Sequence, residues 1–135
     1  MLPPFDESGN LPGGIHPASI EEIVSRFAHG SPEREVEARK LVQLIALARR
    51  NRVRRLIING SFVTNKRDPN DVDVVLLPPA EHWQQETEFE REASVWPFLQ
   101  VLFAADEADL ERWARDDFGT DREGREKGVV EVILW

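Results

Sequence analysis

Residues 71–77, DVDVVLL, constrain this chain of 135 residues more than any other stretch. The run is apolar and β-branched after its acids and is closed by Pro78-Pro79, so it reads as a strand. Alternate residues of a strand share a face, which sets Asp71 and Asp73 side by side and turns Val72 and Val74 the other way. Upstream, residues 53–59 are also apolar and β-branched after their arginines and read as a partner strand. Residues 60–70 form the loop between the two, with Pro69-Asn70 at its end.

Helices precede this pair. Ser19 with Glu22 makes a capping box, and Ile20, Ile23, Val24 and Phe27 repeat at helical spacing until Gly30. Ser31-Pro32 starts a second helix to about Asn51, with Val36, Leu41, Leu44, Ile45 and Ala48 on its apolar face. After the DVDVVLL run, residues 80–93 are charged and expected to be helical, and residues 98–104 form a strand. Asp106 caps a helix to about Asp116, residues 119–127 form a polar loop, and residues 128–135 (GVVEVILW) end the chain as a strand. Residues 1–18 carry Pro3, Pro4, Pro12 and Pro17 with Gly9, Gly13 and Gly14, too many for a helix or central strand. They are expected to form an extended arm anchored by Leu2, Phe5, Leu11 and Ile15. The sum is a single α/β (α+β) domain over residues 1–135, a mixed sheet of about four strands flanked by helices.

Composition removes several chemistries. The chain has no cysteine, which excludes disulfides, zinc–thiolate and iron–sulfur sites and cysteine nucleophiles. Apolar runs such as 44–48 and 74–77 fall far short of the ~20 residues that span a bilayer. The first residues show no basic stretch followed by an apolar one, so a cytoplasmic protein is expected, with no membrane partner. Net charge is −8, against general affinity for nucleic acid or membrane, yet residues 49–67 hold seven basic residues and no acid.

The chemistry concentrates at residues 60–73. Two adjacent carboxylates repel unless a cation lies between them, and oxygen-only ligation suits Mg²⁺ or Mn²⁺, leaving positions for water and phosphate. Gly60 permits close approach of a phosphate to the backbone, Ser61 offers a hydroxyl and an amide, and Lys66 lies in the same loop. A plain pair of turns accounts for Asp68 and Asn70 but not for Asp73, an acid inside an apolar strand.

Gly60-Ser61, nine residues, then Asp71-Val72-Asp73 resembles the signature of the DNA polymerase β-like nucleotidyltransferase superfamily, especially its minimal bacterial members. The motif covers residues 56–77. The resemblance implies a nucleotidyltransferase-like mixed sheet and a site in which Asp71 and Asp73 carry the metal and act in catalysis. Gly60, Ser61 and Lys66 would bind ATP or another NTP. Those relatives are often antitoxins of toxin–antitoxin pairs, some of which adenylylate the toxin, so a toxin-like protein or an RNA hydroxyl is the implied acceptor of NMP. The arm (Pro3-Pro4-Phe5, Gly9-Asn10-Leu11-Pro12) and the tail (Thr120-Asp121-Arg122, Lys127-Gly128-Val129) also resemble a bacterial family without an agreed activity.

The superfamily takes a third carboxylate from a later strand, and here Gln100 aligns with it. Glutamine has no charge and cannot act as a base. Asp106, Glu107 or Glu131 are the candidate replacements. Two functions of different class follow: an Mg²⁺-dependent enzyme transferring NMP, or a catalytically reduced module that binds a nucleotide or partner. The arginines at 49–55 are either a phosphate or RNA contact or the cations that complement a helix C-terminus. His16, His29 and His82 show no ligand spacing, and Trp83, Trp96, Trp113 and Trp135 read as core or interface filling.

Overall fold

The first amides of a helix need partners, and two serines supply them where the capping signals lie. The computed structural model describes residues 1–79 and 86–135. In it Ser19 accepts the Glu22 amide at the start of α1 (Ile20–Phe27), and Ser31 accepts the Arg34 amide at the start of α2 (Pro32–Arg50), whose first residue is proline. Arg52 turns the chain in the left-handed region (φ 57°) into β2 (Arg55–Asn59). The chain continues through β3 (Val72–Leu77), α3 (Glu86–Val95), β4 (Leu99–Phe103), α4 (Glu107–Arg112), a π-helical turn Trp113–Asp117, and β5 (Val129–Val132). The expected helix at 80–93 begins outside the described residues, as do His82 and Trp83.

The fold is a mixed α+β arrangement around one sheet of order β1-β5-β2-β3-β4. β2 is antiparallel to β3 and β5, and β4 runs parallel to β3. The sheet has five strands, not four. The fifth is β1 (Ile15–Ala18), drawn from the arm and paired parallel with β5. Pro17 is admissible there because an edge strand needs ladder partners on one side only.

Alternation divides the core. Leu56, Ile58, Val74, Leu76 and Val130 face a cluster built with Ile23, Phe27, Leu41, Leu44 and Ile45 of α1 and α2. Ile57, Val75, Leu77 and Val129 face the other way, against Leu110, Ala114 and Phe118 of the α4 region. Val36 corrects the expected face of α2: it is exposed, and buried Glu37 occupies the arc with Leu41, Leu44 and Ala48. The arc follows steps of four, three and four residues from 37 to 48, and Val36 lies one residue off it.

Candidate active site at the end of the central strands

The face that carries Ile57 and Val75 becomes polar one step further along the strands. Asn59 on β2 lies opposite Asp73 on β3, and Asp73 lies opposite Gln100 on β4. Cross-strand neighbours share a face, so the three form one row with the carboxyl in the middle.

β2 ends at Gly60, which holds φ 95°. A Cβ there would sit 2.6 Å from the Asp71 carbonyl oxygen, so the close approach of this turn to the start of β3 requires glycine. The 3₁₀ turn Ser61–Val63 follows. The Ser61 amide donates to Asp71 Oδ1 at 2.9 Å, and its hydroxyl donates to the same oxygen. The Ser61 Oγ also accepts from the Asn70 amide at 3.0 Å. Both donors that the sequence offers to a phosphate are thus turned onto Asp71, and Ser61 orients that carboxylate.

The two acids differ in proton affinity. Burial raises Asp71, but the Ser61 bonds and the Lys127 charge outweigh it and hold the carboxyl below its usual range. Asp73 is pushed up to about 6 by burial and by the Asp71 charge, with Lys127 opposing. Asp71 therefore stays anionic while Asp73 takes up a proton just below neutrality.

Arg34 shapes the loop between the motif halves. It is 5% exposed, and its guanidinium donates to the carbonyls of Phe27, Phe62, Thr64 and Lys66 at 2.6–3.1 Å. Ser31 donates to the Arg67 carbonyl at 2.7 Å. The Lys66 ammonium is exposed and donates to Asn70 Oδ1 at 2.8 Å.

Across from this loop stands a second wall. Lys127, just before β5, is 9% exposed and donates from Nζ to the Gly60 carbonyl at 3.1 Å. Burial lowers its proton affinity, and the charges of Asp71, Asp73 and Asp121 work against that. Asp121 accepts from Asn10 Nδ2, Arg125 Nε and the amides of Glu123 and Arg125, and so ties its own loop to the arm. The two walls enclose a cleft of about 710 Å³ that includes Gly60, Ser61, Lys66, Asp71, Asp73 and Lys127. The motif residues therefore come together. Lys127, Asn59 and Asn10 join them; Asn10 and Lys127 stand in the arm and tail segments that carry the second family resemblance, which assigns them no role, and no motif includes Asn59.

Gln100 is the row neighbour of Asp73, and none of the candidate replacement acids is. Glu107 and Glu131 bind the Arg55 guanidinium at 2.8 and 2.7 Å, and Asp106 caps α4. Arg55 starts β2, four residues before Asn59, or about 13 Å at ~3.3 Å per residue. No group of three or more histidines or acids able to hold a metal occurs among the described residues. The arginine run serves the fold in part: Arg49 donates to the Leu134 carbonyl, Arg54 to that of Pro78, and Arg55 joins three carboxylates.

The oxygen set fits a hard cation. The Asp71 charge raises the proton affinity of Asp73, and Asn59 Oδ1, an acceptor in the same row, is buried with no hydrogen-bond partner. Carboxylate and amide oxygens with room for phosphate are what Mg²⁺ or Mn²⁺ takes.

The chain belongs to the family of unknown function DUF6932, whose model matches residues 3–133. No curated protein and no solved structure matches it. No helix among the described residues is long and apolar enough to cross a membrane.

Proposed function

We propose that this DUF6932 member is a nucleotidyltransferase-like protein of the cytoplasm that binds an NTP with Mg²⁺ or Mn²⁺ in the cleft and transfers NMP. The observation that carries the reading is the arrangement of Gly60, Ser61, Asp71 and Asp73 around one end of β2 and β3, with Ser61 fixing one carboxylate. Asp71 and Asp73 would hold the cation, which neutralises charge on the phosphate oxygens. Gly60 lets the Ser61 turn lie against the start of β3 and so sets the carboxylates beside it, and Lys66 at the rim meets the outer phosphates. In the transfer, the acceptor hydroxyl oxygen bonds to the α-phosphorus as the α–β phosphoanhydride breaks. Pyrophosphate leaves, and the hydroxyl proton passes to a base or to solvent. The acceptor is a protein or RNA hydroxyl, with a toxin-like partner as the setting that the superfamily resemblance implies.

Gln100 favours a second reading. With a neutral amide beside Asp73, the row lacks a third carboxylate to act as general base, a contribution worth typically ~10²–10⁴-fold. A nucleotide-binding module with weak or no turnover then follows.

Thermal melting tests binding, and label transfer tests turnover. At ~100 Kd, Mg²⁺ with ATP or GTP should stabilise the wild type by about 2.7 kcal/mol, roughly 5–10 °C. The Asp71→Asn/Asp73→Asn variant should hardly respond. Equal shifts in both proteins would sink the site. With labelled NTP, Mn²⁺ and cell lysate, label on protein or RNA marks the enzyme, and its absence beside intact binding marks the module.

A further inference from the structure

Lysine is almost never fully buried unless paired. Lys127 is nearly so, and it lines the cleft. Its Nζ reaches the backbone oxygen of Gly60, the residue at which β2 hands over to the Ser61 turn. One ammonium proton is placed there, and two remain. The carboxylates whose fields reach it are Asp71, Asp73 and Asp121. Asp121 is already held by Asn10, Arg125 and two amides. The acid pair of the motif is thus left facing one fixed cation.

The row beside that cation is neutral on both flanks, Asn59 on β2 and Gln100 on β4. The carboxylates that would replace Gln100 are bound to Arg55 or cap α4. A third carboxylate together with a second divalent ion would add one positive charge to such a site. A lysine together with a neutral amide adds the same one charge. Resting on the reading of the cleft as an NTP–metal site, we propose that it takes a single divalent cation, the one that arrives with the nucleotide. The Lys127 ammonium supplies the positive charge that a second ion would bring. Asn59 Oδ1, buried and unpartnered in the same row, offers that one ion a neutral oxygen on the β2 flank of Asp73.

Equilibrium dialysis of the intact chain against Mn²⁺ and α,β-methylene-ATP, counting metal and nucleotide bound per chain, decides it. The expected wild-type result is one Mn²⁺ for each bound nucleotide. Two ions per nucleotide would overturn the single-ion site while leaving the nucleotide-binding reading intact. No bound nucleotide would overturn both.

Lys127→Met should bind Mn²⁺ alone roughly tenfold more tightly, because a competing charge is gone. The same variant should bind the nucleotide more weakly. Gln100→Asp with Lys127 intact should still bind one ion, and Lys127→Met/Gln100→Asp should bind two. If Lys127→Met does not fold, the wild-type count and Gln100→Asp carry the test unaided. A second ion in Gln100→Asp alone would show that Lys127 does not fill that role.

Discussion

At the scale of single residues, the cleft is governed by two acids of unequal proton affinity. Asp71 is held anionic by Ser61, whereas Asp73 keeps a proton up to about 6. A cation must displace that proton to use both carboxylates. Mn²⁺ affinity is therefore expected to be flat above about pH 7 and to fall about tenfold per unit below about 6, read by titration calorimetry. In Asp73→Asn the dependence should vanish along with most of the affinity. A pH-independent wild type would remove Asp73 from the metal site.

Glu37 supplies a second residue-level expectation. Its carboxyl is pushed up to about 7 by burial, with Arg34 opposing and Asp71 and Glu33 adding, and one of its oxygens is buried without a partner. Both Glu37 and Asp73 have folded values above their unfolded ones. The native chain keeps a proton that the unfolded chain has released, so stability falls as pH rises from about 4.5 to about 7. Glu37→Gln should remove on the order of 3 kcal/mol of this penalty at pH 8. Melting curves at pH 5 and pH 8 test it: the variant should gain several degrees over wild type only at the higher pH.

At the scale of elements, α2 both covers the sheet and sets the motif loop. Arg34 joins the carbonyls of Phe27, Phe62, Thr64 and Lys66, so the N-terminal end of α2 determines where Ser61 and Lys66 stand relative to β3. Arg34→Met would leave buried carbonyls unsatisfied, at about 1–3 kcal/mol each. A loss of at least about 3 kcal/mol in urea unfolding is expected, and nucleotide–Mn²⁺ affinity should drop more than tenfold even where the variant is folded. Full affinity in a destabilised but folded Arg34→Met would confine the arginine to stability.

The elements differ in how far sequence announced them. Caps at Ser19 and Ser31, and the strands around Ile57 and Val74, were legible because capping and alternation act within a few residues. β1 was not, since Pro17 argues against a strand until the sheet edge at β5 is in place. Val36 misled for a related reason: the buried arc of α2 runs through Glu37, whose burial no hydrophobic pattern suggests.

At the scale of the molecule, the cleft is an assembly of three segments far apart in sequence. Only the middle one, residues 60–73, carried a motif from which chemistry could be read; the resemblance in the arm and tail implied no role for any residue. The walls come from the arm and from the loop before β5, joined by Asn10 to Asp121, by the Gly128 amide to the Leu11 carbonyl and by the Asn65 amide to the Gly9 carbonyl. Nothing in local propensity encodes a bond between residues 111 apart, so the meeting of Asn10 and Lys127 at the cleft was not legible. The arrangement has a consequence that a simple covering arm would not. Asn10 is buried, lines the cleft and braces the loop that delivers Lys127. Asp121 keeps Arg125 and two amides if Asn10 is lost, so Asn10→Ala should cost only about 1 kcal/mol of stability. Its effect on the cleft should be larger. Amide exchange across residues 119–128 should accelerate, and nucleotide–Mn²⁺ affinity should fall several-fold, because Lys127 and the Gly60 carbonyl are no longer held in register from the arm side. Leu11→Ala provides the contrast. It opens a core position at 2–5 kcal/mol, and its exchange should rise throughout the sheet rather than in one loop. If Asn10→Ala leaves both the loop's exchange and the affinity at wild-type values, the arm is a cover for the core and takes no part in the site.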